Sequence, residues 1–145
     1  MKISTKGRYA LRMLVDLAEH NNDGFVALKD IAERQGISKK YLEQIIPVLN
    51  RAGVLQTNRG YRGGYKLANS PDKFTVGEIL RLTEGSFAPV SCLEQDPVQC
   101  ERSAECATLS MWKGLYQVIN EYLDGITIQD LLDKQKENYS NDYMI

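Results

Sequence analysis

The 145-residue sequence predicts a mainly α-helical fold with a small β-wing: a winged helix-turn-helix domain followed by a long C-terminal dimerisation helix. Three observations predict it. Two apolar-periodic segments meet at Gln35-Gly36-Ile37-Ser38, which has the length and chemistry of a helix-turn-helix turn. Two strand-like runs then flank the glycine-rich Arg59-Gly60-Tyr61-Arg62-Gly63-Gly64, as a hairpin requires. Finally, the net charge of −1 is unevenly divided. Residues 1–66 carry twelve Lys/Arg against six Asp/Glu, and residues 67–145 carry six against thirteen. A basic first half points to a nucleic-acid face there.

The elements follow in order. Ser4 or Thr5 can cap a first helix, in which Tyr9, Leu11, Leu14, Val15, Leu17 and Ala18 recur at helical spacing. Asn21-Asn22-Asp23-Gly24 ends it, and Phe25-Val26-Ala27 is expected to form one strand of a small sheet. A second helix spans 28–35. Ser38 caps a third, reaching 52, with Tyr41, Leu42, Ile45, Ile46 and Leu49 on its apolar side. Pro47 removes one backbone donor inside it and predicts a kink or a tightened turn, and Gly53 suits its C-terminal cap. Strands are expected at 54–58 and 65–68, then a fourth helix at 75–84. Residues 85–108 show no periodicity and hold Pro89, Pro97 and all three cysteines, a candidate functional loop. A long helix follows at 109–123. Leu109, Trp112, Leu115, Tyr116, Ile119, Tyr122 and Leu123 give it an apolar face broader than a small winged domain needs, which predicts a homodimer. A short helix at 126–136 and a flexible polar tail complete the chain. The expected organisation is a DNA-binding domain at 1–84, a cysteine-containing sensor loop at 85–108, dimerisation helices at 109–136 and the tail at 137–145.

A helix-turn-helix presents the first residues of its second helix to the major groove. Here these are Ser38, Lys39, Lys40, Tyr41, Glu43 and Gln44. Lysine suits phosphates or guanine, Gln44 can pair with adenine, and Glu43 can accept from the cytosine amino group. On the wing, Arg59, Tyr61 and Arg62 complete the contact set, because arginine among glycines fits a narrow, electronegative minor groove. A two-fold dimer would present two such helices to double-stranded DNA and read a dyad-symmetric operator. Other classes find little support. No apolar run nears the ~18 residues of a membrane span and the N-terminus lacks a signal-peptide core, so a cytoplasmic protein with no membrane partner is expected. An odd number of cysteines disfavours a disulfide scaffold. No phosphate loop, histidine–nucleophile pairing or histidine pair suggests an enzyme. Cys92, Cys100 and Cys106 are three soft thiolates in one loop, suited to an iron–sulfur cluster, less well to zinc, or to a thiol redox switch. Glu94, Asp96, Glu101 and Glu105 are nearby candidates for a fourth coordination position.

Met-Lys-Ile-Ser-Thr-Lys-Gly-Arg-Tyr-Ala, Tyr-Leu-Glu-Gln, Arg-Ala-Gly-Val and Arg-Gly-Tyr-Arg-Gly-Gly-Tyr resemble the IscR/NsrR/CymR-type (Rrf-two) family of bacterial winged helix-turn-helix transcriptional regulators. The resemblance covers essentially the whole chain. It implies a homodimer whose long helix crosses to the partner, with Glu43 and Gln44 at base edges, Arg59 in the minor groove, and Arg8 and Tyr9 toward phosphates. It also implies that Cys92, Cys100 and Cys106 ligate an iron–sulfur cluster. Against the family pattern, the Cys92–Cys100 interval is long, Leu109 stands where one branch has a histidine, and Arg8 stands where another has an acidic residue. The expected function is a repressor sensing iron–sulfur, sulfur or redox status. The alternative is a cysteine-metabolism repressor acting in complex with cysteine synthase. That complex would form through Tyr143, Met144 and Ile145, because the terminal Asn-Asp-Tyr-Met-Ile resembles the tail by which serine acetyltransferases engage that enzyme.

Overall fold

The computed structural model describes residues 2–143, without side-chain detail at Asp23 and Tyr143. Its helices are α1 (Thr5–Glu19), α2 (Leu28–Gln35), α3 (Lys39–Arg51), α4 (Val76–Glu84), α5 (Leu109–Asp124) and α6 (Ile128–Tyr143). One hairpin pairs β1 (Leu55–Asn58) with β2 (Gly64–Leu67), Leu55 opposite Leu67 and Asn58 opposite Gly64. This is the mainly helical, winged arrangement that the sequence predicts.

Local chemistry sets the boundaries. The Ser4 hydroxyl accepts from the Gly7 N–H at 3.1 Å and starts α1. α2 stops at Gly36, whose φ of 63° lies in the left-handed region that favours glycine. The turn brings Ser38 to the start of α3, where its hydroxyl accepts from the Tyr41 N–H at 3.1 Å. Pro47 is exposed, and α3 runs from Lys39 to Arg51 without a break there. The strand expected at 25–27 contracts to a single bridge. Val26 and Tyr65 exchange N–H to carbonyl bonds of 2.8 Å each, while the Ala27 carbonyl already accepts from the first turn of α2, leaving no length for a strand. The bridge also requires glycine at position 64, because a Cβ there would lie 2.3 Å from the Val26 carbonyl oxygen.

The main core gathers Ala10, Met13, Leu14 and Leu17 of α1, Ile31 of α2, and Leu42, Ile45 and Leu49 of α3. Ile128 and Leu132 reach the same core from the far end of the chain. They do so because α4 and α6 start side by side. The Val76 N–H donates to the Ile126 carbonyl at 2.7 Å, and the Ile128 N–H to the Phe74 carbonyl at 2.9 Å. Both starts carry reciprocal caps, Thr75 with Glu78 and Thr127 with Asp130. α6 continues to Tyr143 rather than ending at 136. Its polar second half is supported by local pairs, Gln129 with Asp133 and Lys134 with Glu137. Residues 137–143, expected as flexible tail, are therefore helical, and Met144 and Ile145 lie outside the described residues.

α5 packs on α4 through a second cluster, in which Tyr116, Ile119 and Leu123 cover Val76, Leu80 and Phe87. Arg81 forks onto Asp124 at 2.7 and 2.8 Å, bonds Asn120 at 2.8 Å, and lies over the Phe87 ring. The broad apolar face read from the sequence is thus two faces. Tyr116, Ile119 and Leu123 turn inward, whereas Leu115 and Tyr122 join Met111 and Val118 in an outward stripe that is 42–68% exposed. Among the described residues no helix is long and apolar enough to cross a membrane.

Candidate nucleic-acid interface and cysteine loop

The amphipathic pattern of α3 decides what it offers to a ligand. Leu42, Ile45, Ile46 and Leu49 are buried, so the opposite side exposes Lys39, Lys40, Glu43 and Gln44. Ser38 is spent on the cap and fixes where that side begins. Between α3, the start of α2 and the wing lies a groove of about 610 Å³, lined in part by Lys39, Glu43 and Arg59. Three residues expected to read DNA from two separate elements therefore border one groove. Gln44 and Lys40 are exposed beside it on α3, rather than lining it.

The groove also holds residues that the sequence reading passed over. Lys29 comes from the first turn of α2, the helix that crosses the nucleic-acid backbone in this kind of motif. Asn50 and Thr57 line it from α3 and β1, and the Thr57 hydroxyl donates to the Asn50 side-chain oxygen at 3.1 Å. That bond links the wing to α3. Lys29 had a usable signal, a cation opening a helix; Asn50 and Thr57 had none without the fold.

At the wing tip the Gly63 N–H donates to the Gly60 carbonyl at 2.9 Å, closing a tight turn. Tyr61 is 95% exposed there, with the Arg62 guanidinium 5.9 Å from its ring centre. A ring this open buries almost nothing within the chain and can be reached by a partner. On α1, Tyr9 meets Tyr41 edge-on at 5.2 Å, which places it beside the start of α3. The Arg8 guanidinium donates to the Thr5 hydroxyl at 3.2 Å.

The cysteine loop leaves the core at Phe87, which is buried, and returns at Leu109. All three cysteines are free thiols. Cys92 and Cys100 line one small cavity of about 320 Å³ with Ser91, Gln95 and Gln99. Cys106 stands elsewhere, its sulfur 3.3 Å from the Thr108 hydroxyl at the start of α5. That hydroxyl, and then the Thr108 backbone N–H, hold the Cys106 thiol below its ordinary range. Glu94 and Asp96 line a different cavity, of about 620 Å³, together with Lys113 and Tyr116. Among the described residues no three acidic, histidine or cysteine side chains form a metal-ligating group. The donor chemistry suits a cluster, but the loop as folded brings only two of the three thiols to a common cavity.

A family model for Rrf2, described as an iron-dependent transcriptional regulator, matches residues 3–134. The rrf2 protein of Nitratidesulfovibrio vulgaris is 42% identical over 132 residues, covering 91% of this chain and 87% of that one. The helix-turn-helix regulator CymR of Bacillus subtilis is 39% identical over 142 residues, covering 96% and 97% of the two chains. The solved structure of that global cysteine regulator superposes with a TM-score of 0.77, covering 92% of this chain and 98% of its own at 37% identity. IscR of T. potens gives 0.74 at 40% identity, covering 95% and 90%.

Proposed function

The chain belongs to the Rrf2 family of transcriptional regulators, and from that premise we propose a homodimeric, operator-binding repressor whose response is carried by the cysteine loop. Its relatives are regulators rather than enzymes, and DNA binding is the work of the helix-turn-helix. The observation that carries the finer reading is the shared groove. Lys39, Glu43 and Arg59 come from two elements yet border one surface, which supports base reading by α3 and minor-groove entry by the wing. The outward stripe of Met111, Leu115, Val118 and Tyr122 supports pairing with a second copy, which would set two recognition helices on a dyad-symmetric site.

The loop is the proposed sensor. Bound there, an iron–sulfur cluster would supply a redox-active, exchangeable group held by thiolates. The present fold does not gather Cys106 with Cys92 and Cys100, so cluster ligation would require the segment around Cys106 to leave Thr108. Thiol oxidation at the loop requires no such gathering. A second reading is a cysteine-metabolism repressor, favoured by the near-complete coverage of the cysteine regulator CymR, with cysteine synthase as its proposed partner.

One preparation separates these. Protein purified without oxygen is assayed for iron and sulfide, for binding to its operator with and without oxidant, and for co-elution with cysteine synthase. The cluster reading expects iron and sulfide in the parent and neither in a Cys92/Cys100/Cys106 triple alanine variant. The thiol reading expects a metal-free parent whose DNA affinity responds to oxidant and stops responding in that variant. Operator binding indifferent to all three cysteines removes the sensor role.

A further inference from the structure

We propose that Asp16 is a positioning residue for operator recognition: from inside the core it sets, through Arg34, Gln35 and Arg12, where the Tyr9–Tyr41 pair and the start of α3 stand. The inference rests on α3 being the DNA-reading helix and adds what holds that helix at its working angle.

Asp16 is the one buried charged side chain among the described residues, 1% exposed among the apolar residues of α1. A carboxylate there is costly to desolvate unless its oxygens are satisfied, and an apolar side chain would serve packing alone at less cost. Both of its oxygens have partners. Arg34 donates from Nη2 to Oδ1 at 2.7 Å and from Nε to Oδ2 at 3.0 Å, and the Gln35 amide nitrogen donates to Oδ2 at 3.0 Å. Both partners are the last residues of α2, immediately before the turn into α3.

Gln35 passes the constraint on. Its side-chain oxygen accepts from Arg12 Nε at 3.2 Å, and its backbone carbonyl accepts from Arg12 Nη2. With the amide gripped at both ends, its rotation is fixed by a carboxylate on one side and a guanidinium on the other. That guanidinium lies 5.3 Å from the centre of the Tyr9 ring, and Tyr9 meets Tyr41 at 5.2 Å with the rings 72° apart. Tyr41 belongs to the first turn of α3 and donates its backbone N–H to Ser38. Asp16 thus reaches α3 through four side chains, Gln35, Arg12, Tyr9 and Tyr41. Base readout by Glu43 would need hydrogen-bond geometry, whereas charge attraction does not, so a helix rocked by a loosened turn should lose discrimination before it loses affinity for any duplex.

A residue that merely staples α1 to α2 would behave differently. Its loss would lower the folded fraction, and affinity for every duplex would fall together. The test uses the full-length protein, a duplex selected from a randomised pool by the parent, and a random duplex of equal length. Asp16→Asn keeps the shape and loses the charge. Arg12→Lys keeps the charge at an exposed position and loses the fork. Positioning predicts that both variants lower the selected-to-random affinity ratio by about ten-fold, the size of one lost bidentate base contact, with the salt dependence unchanged. A parallel fall on both duplexes in Asp16→Asn, or an unchanged ratio in Arg12→Lys, overturns the proposal. If Asp16→Asn does not fold, Arg12→Lys decides it. Glu43→Ala serves as control: if it keeps the parent ratio, the assignment of α3 as reader has failed instead.

Discussion

α1 and α5 are helices of nearly equal length with opposite fates. α1 buries Gly7, Ala10, Met13, Leu14, Val15, Asp16, Leu17 and Ala18, whereas no residue of α5 is buried. Both carry apolar residues at helical spacing, so the difference is not one of pattern. α1 is enclosed by α2, α3, α4 and α6, so its surroundings are complete within one chain. α5 leans on α4 with one face and leaves the stripe of Met111, Leu115, Val118 and Tyr122 to solvent. Periodicity reveals that a helix has something to bury; it does not reveal whether the same chain supplies the cover.

The sharpest way to break this contrast is to charge the open stripe. Leu115→Glu with Val118→Glu should leave the monomer folded and abolish self-association, seen by sedimentation. Operator affinity should then fall by about 100-fold or more, because the second half-site no longer benefits from effective concentration. A comparable charge at Leu14 on α1 should instead prevent folding. A smaller effect is expected within the reading surface itself. Glu43→Ala should relax base preference at one position by roughly 1–3 kcal/mol, measured across single-base operator variants. Arg59→Ala should lower affinity across sequences and reduce the salt slope by about one unit or less.

The smallest effect concerns the tie between α4 and α5. The Arg81 guanidinium holds the Asp124 carboxyl below the usual carboxylate range. A carboxyl depressed by folding contributes stability above its unfolded pKa of about 4, and that contribution is lost as pH falls through the lower folded value. The pair is partly exposed, so the contribution should stay below about 1 kcal/mol. Urea midpoints measured from pH 6 to pH 3 should fall more steeply for the parent than for Asp124→Asn. Identical slopes would mean that the apolar contacts of Ile119 and Leu123 hold α5 without help.

The legible parts of the sequence were those with local chemistry. Gly36 and Ser38 mark helix ends by satisfying backbone groups at short range, and the structure uses both as expected, with Ser4 taking the first cap that was open between it and Thr5. The wing was legible because its glycines are required locally, Gly63 and Gly64 by close backbone approach and Gly60 by a φ of 109°. What escaped depended on distant partners. Asp16 reads as an ordinary polar interruption of α1 until Arg34 and Gln35 arrive beside it. The second half of α6 has no apolar rhythm, because after Ile128 and Leu132 it has little left to bury. The division of the α5 surface into two faces needed the position of Phe87 and α4. Cys92, Cys100 and Cys106 were evident as a group, yet their grouping into a pair and a separate thiol follows from the loop path and not from spacing.

The return of α6 to the first helix has a consequence for how the protein is made. Ile128 and Leu132 fill positions in the core built by α1, α2 and α3, and Gln135 donates to Glu19 at the far end of α1. A ribosome finishes the DNA-reading half early, but releases these residues only after α4, the cysteine loop and α5. Until then the nascent chain carries an open apolar socket, closed only by contacts across more than a hundred residues of sequence. Truncated translation products should therefore lack a stable DNA-binding half, so that only a chain completed through α6 can occupy an operator.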